Sequence, residues 1–85
     1  MDENKTLGHN AGYDIIRAET YETDQQGCEY QIVLGFEHCS GMYVTWECNV
    51  HPDGTRDYFW GHYIPMRQRA LADYHRRLLD HYERM

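Results

Sequence analysis

Long apolar runs are missing from this 85-residue chain. None approaches the ~20 consecutive residues that a membrane-spanning helix requires, so no membrane partner is expected. Basic residues are scarce through most of the sequence. Residues 1–65 hold eleven acids against Lys5, Arg17 and Arg56, a net −8, and only residues 66–85, with five arginines against three acids, turn positive at +2. Binding to a phosphate backbone depends on clustered Lys and Arg, so this balance disfavours nucleic acid as a partner. Cysteine is limited to Cys28, Cys39 and Cys48, an odd number, and the opening "MDENKTLGHN" has neither the basic nor the apolar region of a secretion signal. The cysteines therefore read as reduced and the protein as cytoplasmic. Internal repeats, low-complexity linkers, phosphate loops and nucleophile-elbow motifs are missing too, and no cofactor is implied.

What the chain has in quantity is aromatic area: eight Tyr, two Trp and two Phe. Such side chains let a short chain build one core from few residues, and residues 1–85 read as a single domain with a narrow stability margin. Alternation of period two runs through "CEYQIVLGF" and "MYVTWECNV", which predicts strands over about 28–37 and 42–50. Pairing Phe36 with Met42 across "EHCSG" would bring the even-numbered apolar residues of both strands onto one face, a register the hydrophobic pattern would specify. "HPDGT" predicts a bulged hairpin turn into a strand over about 56–64. Continuing that pairing sets Cys48 by Tyr58, Trp46 by Trp60, Val44 by His62 and Met42 by Ile64. "DQQGC" reads as a similar turn leading back to a strand over about 13–23, whose even face carries Ile16, Ala18 and Thr20 while Ile15 points the other way. Disorder is considered only for residues 1–11.

Pro65 suits the first turn of a helix over about 66–84, with Leu71, Tyr74, Leu78, Tyr82 and Met85 forming an apolar stripe. Asp73, Arg76, Arg77 and Asp80 are placed in intrahelical pairs on a solvated face. The expected architecture is α+β: a four-stranded antiparallel β-meander with one C-terminal α-helix packed on its even face.

That arrangement leaves Tyr43, Phe59 and Tyr63 on an uncovered face, with Tyr21 further across and acids including Glu29 and Glu47 at the rim. Such a surface would expose a few hundred Å² of apolar area, roughly where a binding site is first suspected. The function expected is a non-enzymatic interaction module that binds a partner protein or forms a homodimer through these six residues. Cross-strand pairing of the rings for stability alone is the plainer reading. An acidic anti-defence or nucleic-acid-mimicking role is a further alternative, as is an enzyme using Cys and His. Cys48 and His51, with Cys28 near them, suggest a metal set, but two of the three face the helix and His51 does not. His38 and Cys39 lie too far off to complete it, so no metal is expected. Cys48 and His62, with His75 or His81 in reach, are the only catalytic pairing considered, and no catalytic residue is assigned.

The phrases "YVTWEC" and "YFWGHY", followed by a Tyr/His/Arg-rich helix, resemble small uncharacterised proteins of bacterial conjugative elements and phages. The resemblance covers about residues 42–82. It implies a host or defence component as target and carries over no site residue.

Overall fold

Tight connections divide the chain into short strands and one helix. The computed structural model describes residues 7–84, comprising β1 (His9–Asn10), β2 (Tyr13–Thr23), β3 (Glu29–Glu37), β4 (Met42–Val50), β5 (Arg56–Ile64) and α1 (Arg67–Glu83). The strands form one antiparallel sheet in the order β1-β2-β3-β4-β5. This is the α+β meander with one strand more than expected. The extra strand arises at Ala11 and Gly12, which both take positive φ, 52° and 85°, and so close a two-residue hairpin between Asn10 and Tyr13. Leu7 N–H donates to Ile15 O at 2.8 Å and Ile15 N–H to Gly8 O at 2.8 Å, extending that hairpin. Alanine is not a turn residue by composition, which is why the sequence does not advertise the hairpin. Residues 1–6, the rest of the segment considered for disorder, and Met85 lie outside the described residues.

The β3–β4 register differs from expectation by one residue. Gly41, at φ 75°, donates its N–H to Glu37 O at 2.8 Å, so the loop closes over four residues and Glu37 faces Met42. Phe36 accordingly pairs with Tyr43, Leu34 with Thr45 and Ile32 with Glu47. A one-residue slip turns every side chain of a strand to the other face. Even residues of β3 therefore share a face with odd residues of β4, where one parity had been expected for both.

Two further strands change parity internally. β5 keeps the expected pairing of Cys48 with Tyr58, but an irregularity between Thr45 and Glu47 then sets Val44 opposite Tyr63, Thr45 opposite His62 and Tyr43 opposite Ile64. Trp60, at φ 54°, is the residue that absorbs the shift. In β2, shifts between Ile15 and Arg17 and between Thr20 and Glu22 let Ile15 and Ala18 share a face despite opposite parity. Ile16 is left exposed at the first bulge, which resolves the conflict in that strand's pattern.

Both faces of the sheet consequently carry apolar packing. Between the sheet and α1, Ile32 and Leu34 pack with Ala70, Tyr74 and Leu78 of the helix, joined by Tyr21, Tyr43 and Ile64 of the sheet and Leu71 of the helix. On the opposite side Ile15, Val33, Val44, Trp46 and Cys48 form a second cluster, bordered by Tyr13, Ala18, Val50 and Tyr58. Here the sheet curls on itself. Tyr13 of β2 and Tyr63 of β5 meet at 6.0 Å between ring centroids, and both stand edge-on to Trp46, at 5.7 and 6.3 Å. Edge-to-face contacts of this kind add roughly 0.5–1.5 kcal/mol each beyond burial. The helix itself starts after Pro65, with Met66 as its N-cap, one residue later than expected.

Gly61 is where backbone and core come closest. A Cβ there would lie 2.7 Å from Trp46 Nε1 and 3.0 Å from both Trp46 Cδ1 and Tyr63 Cε1. The rigid indole has no room to retreat within its ring cluster. Gly61→Ala is therefore expected to destabilise the fold by about 1–3 kcal/mol, measured as a lowered midpoint in urea with unchanged slope.

Candidate functional site

Because the β3–β4 loop closes over four residues, β4 turns Thr45 and Glu47 toward α1. The helix answers with Asp73, Arg77 and His81, which recur at four-residue intervals beside its apolar stripe and so lie along one line. Thr45, Glu47, Asp73 and Arg77 are all buried. Thr45 Oγ1 donates to Asp73 Oδ2 at 2.6 Å and accepts from Arg77 Nη1 at 3.0 Å. Arg77 also reaches Thr45 O at 3.1 Å and, through Nη2, Trp60 O at 2.8 Å. Asp73 is further held by His62 Nδ1 at 2.8 Å and Arg76 Nη2 at 2.9 Å. Glu47 accepts from Tyr21 Oη at 3.0 Å, pairs with His81 Nε2 at 2.9 Å and lies 3.8 Å from Arg77 Nη2. The His81 ring stacks on Tyr21, with centroids 3.8 Å apart and planes 11° from parallel.

Among the described residues no buried side-chain nitrogen or oxygen lacks a partner, which is what makes a buried ionic group tolerable in a low-dielectric setting. Burial pushes the Asp73 carboxyl up, but the hydrogen bonds from Thr45, His62 and Arg76 outweigh it and hold the group below its usual range. Burial, followed by the charge and hydrogen bond of Glu47, raises the Tyr21 phenol, which therefore stays a donor at neutral pH.

The network opens at one end into a cleft of about 240 Å³ lined by Glu47, Trp60, His62, Arg77, Asp80, His81 and Arg84. Trp60 forms its outer wall, exposed to solvent and standing edge-on to Phe59 at 5.1 Å. A second, larger groove of about 490 Å³ runs along the junction of β5 and α1, between Tyr63, Ile64, Pro65 and Met66 on one side and Arg69, Ala72, Asp73 and Arg76 on the other.

The six residues expected to share an open face do not share one. Tyr43 is half-buried among the residues under α1, 4.7 Å from Phe36, and Tyr21 is half-buried against His81. Glu47 is buried. Glu29 is half-buried and accepts from Thr20 Oγ1 at 2.8 Å. Phe59 is half-buried opposite Glu47. Tyr63 alone is well exposed, and it belongs to the side away from the helix, opposite Val44. The parity change in the β3–β4 loop accounts for Tyr43 and Glu47, and the bulge at Trp60 separates Phe59 from Tyr63.

Cys48 is buried on the face opposite α1, away from His62, so the pairing considered between them is not assembled. Arg77, expected in solvent, is buried, whereas Arg76 and Asp73 do form the intrahelical pair. Thr45 and Trp60 have no site role in the sequence pattern, which sets Arg77 in an intrahelical pair and His81 beside a Cys48–His62 pairing. The signal that joins the helical residues is the i, i+4, i+8 line of Asp73, Arg77 and His81. All three cysteines are free. Among the described residues no group of three or more His, Cys, Asp or Glu side chains is arranged to hold a metal ion, and no helix is long and apolar enough to cross a membrane. No protein-family model matches the chain, and no curated protein or solved structure matches it either.

Two outcomes follow from the network. Arg77→Ala removes the donor to Thr45 O, Thr45 Oγ1 and Trp60 O while Glu47 keeps Tyr21 and His81, and is expected to cost about 2–4 kcal/mol from the buried acceptors left unpaired and the space vacated, read by chemical denaturation. Asp73 has a lowered native value, so its contribution is complete above the ordinary aspartate value of about 3.9 and is lost as pH falls through the native one. Urea midpoints measured against pH should therefore fall more steeply on acidification for the wild type than for Asp73→Asn.

Proposed function

We propose that this protein is a non-enzymatic interaction module whose contact surface runs along the outer strand β5 and its turn into α1, binding a partner protein or a second copy. The observation that carries the reading is Trp60. Its side chain is 73% exposed although its backbone adopts a left-handed conformation, which costs a non-glycine residue roughly 1–3 kcal/mol. The buried Arg77 guanidinium grips its carbonyl and holds it there. Strain retained to present a large ring to solvent is a feature of binding positions more than of cores. Tyr63, 55% exposed, and Met66, 53% exposed, continue the surface along the same margin, with Arg69 and Arg76 bordering it. Trp, Tyr and Arg are the residue types that most often dominate binding energy.

An acidic anti-defence or nucleic-acid-mimicking role on a mobile element is the second reading. It draws on the acids gathered at the opposite turns, where Asp24 and Asp53 both lie near Cys28 and Asp57 pairs with His51. Association through these acids would weaken with salt, whereas an aromatic contact would not.

Light scattering over a concentration series, repeated with host extract fractions, tests the first reading. Trp60→Ala combined with Met66→Ser, two exposed side chains outside both apolar clusters, should abolish any complex that the wild type forms, with the thermal midpoint changed by only a few degrees, roughly the effect of 1 kcal/mol or less. Complexes that survive the double substitution and dissolve in salt would transfer the function to the acidic end.

A further inference from the structure

We propose that Cys28, His51 and Asp57 form a site of reversible thiol modification, at which the Cys28 sulfur exchanges with a small disulfide carrying ammonium groups. The three come together because the β3–β4 ladder, whose last pair is Glu29 with Val50, continues by one residue to set Cys28 beside His51. Cys28 Sγ lies 3.8 Å from His51 Nδ1, and His51 Nε2 lies 2.7 Å from Asp57 Oδ2. One imidazole nitrogen thus faces the thiol while a carboxylate fixes the other, which is the arrangement of nucleophile, base and orienting group. With its proton on Nε2 toward Asp57, neutral His51 offers Nδ1 as the acceptor. Cys28 is only half-buried, at the rim where the 24–28 and 51–55 turns meet, whereas Cys48 is buried. Cys39 is exposed, and among the described residues no imidazole bonds to it.

The surrounding charges fix the conditions for reaction. Cys28 is faced by Asp24 and Asp53, and His51 by Asp57 and Asp53; Tyr30, on the β3 side, donates to Asp24. Asp24 is held below its usual range chiefly by the Tyr30 hydrogen bond, and Asp53 by that of the Thr55 amide, so both stay ionised. Burial, with those two acids, raises the Cys28 thiol above its ordinary value, and it therefore needs a base at neutral pH. The same carboxylates attract a cationic reagent and repel an anionic one.

In the exchange, the Cys28 proton passes to His51 Nδ1 and the sulfur attacks one sulfur of the incoming disulfide. A bond forms between Cys28 and that half, the original S–S bond breaks, and the departing thiolate takes the proton back from His51. Cys28 sulfur is oxidised and the released half reduced. Excess small thiol reverses the step.

The experiment uses the full chain with cystamine, and with glutathione disulfide as the anionic comparison, and follows modification of Cys28 and Cys39 by peptide mass. His51→Ala is expected to slow Cys28 by about tenfold or more and to leave Cys39 unchanged; His51→Gln, which keeps more of the side-chain volume, should do the same. Cystamine should be preferred over glutathione disulfide more strongly at Cys28 than at Cys39. The Asp57 hydrogen bond raises His51 above its ordinary value, so the rate should climb as pH rises through that value, and Asp57→Asn should move the climb to lower pH. A Cys28 rate indifferent to both His51 substitutions, or a cystamine preference no greater than that of Cys39, would overturn the proposal.

Discussion

The hydrogen bond from Gly41 N–H to Glu37 O decides how this molecule is built. Closing the β3–β4 loop over four residues fixes which side of β4 meets the helix, and with it the identity of everything buried there. Five residues in the loop would have laid Val44, Trp46 and Cys48 against α1 and sent Thr45 and Glu47 into solvent. With four, the helix meets a polar stripe and has to supply a polar one of its own. The apolar residues of β4 are then left to the far side, where the sheet curls until rings from β2 and β5 close over Trp46.

The polar layer under α1 is more useful for specificity than for stability. Buried ion pairs rarely stabilise a fold more than apolar residues of the same shape would, because each charge gives up its hydration. What they do is penalise misplacement. A helix shifted by one turn along the sheet would leave Asp73 without Thr45 and His62, and Glu47 without His81 and Arg77. Only one seating satisfies every group. For a chain of this size, with two small apolar clusters in place of one large core, that constraint supplies a uniqueness that packing alone would leave weak.

The strands and the helix are legible in the sequence because their signals are local: alternation in 28–37 and 42–50, the Pro-Asp-Gly turn at 52–54, the 3.6-residue stripe after Pro65. Facing is not local. It hangs on a loop one residue shorter than composition suggests and on bulges at Ile16, Tyr21 and Trp60, each of which exchanges inside for outside partway along a strand. A parity argument carried through those positions misplaces Tyr43, Tyr21 and Glu47, while Tyr63 still emerges exposed. Ile15 was the one residue whose pattern conflicted with its strand, and a bulge is what the conflict recorded. Gly61, directly after Trp60, was the corresponding mark in β5, since bare backbone within a strand often signals a bulge or a close neighbour.

The bulges also shape how the molecule meets others of its kind. Sheet margins with straight, unpaired backbone invite a foreign strand and, through it, fibre growth. Here one margin is interrupted at Trp60 and the other is broken twice along β2, with only the two residues of β1 laid beside it. Each interruption shortens the run of regular backbone open to an incoming strand, which works against amyloid-like growth.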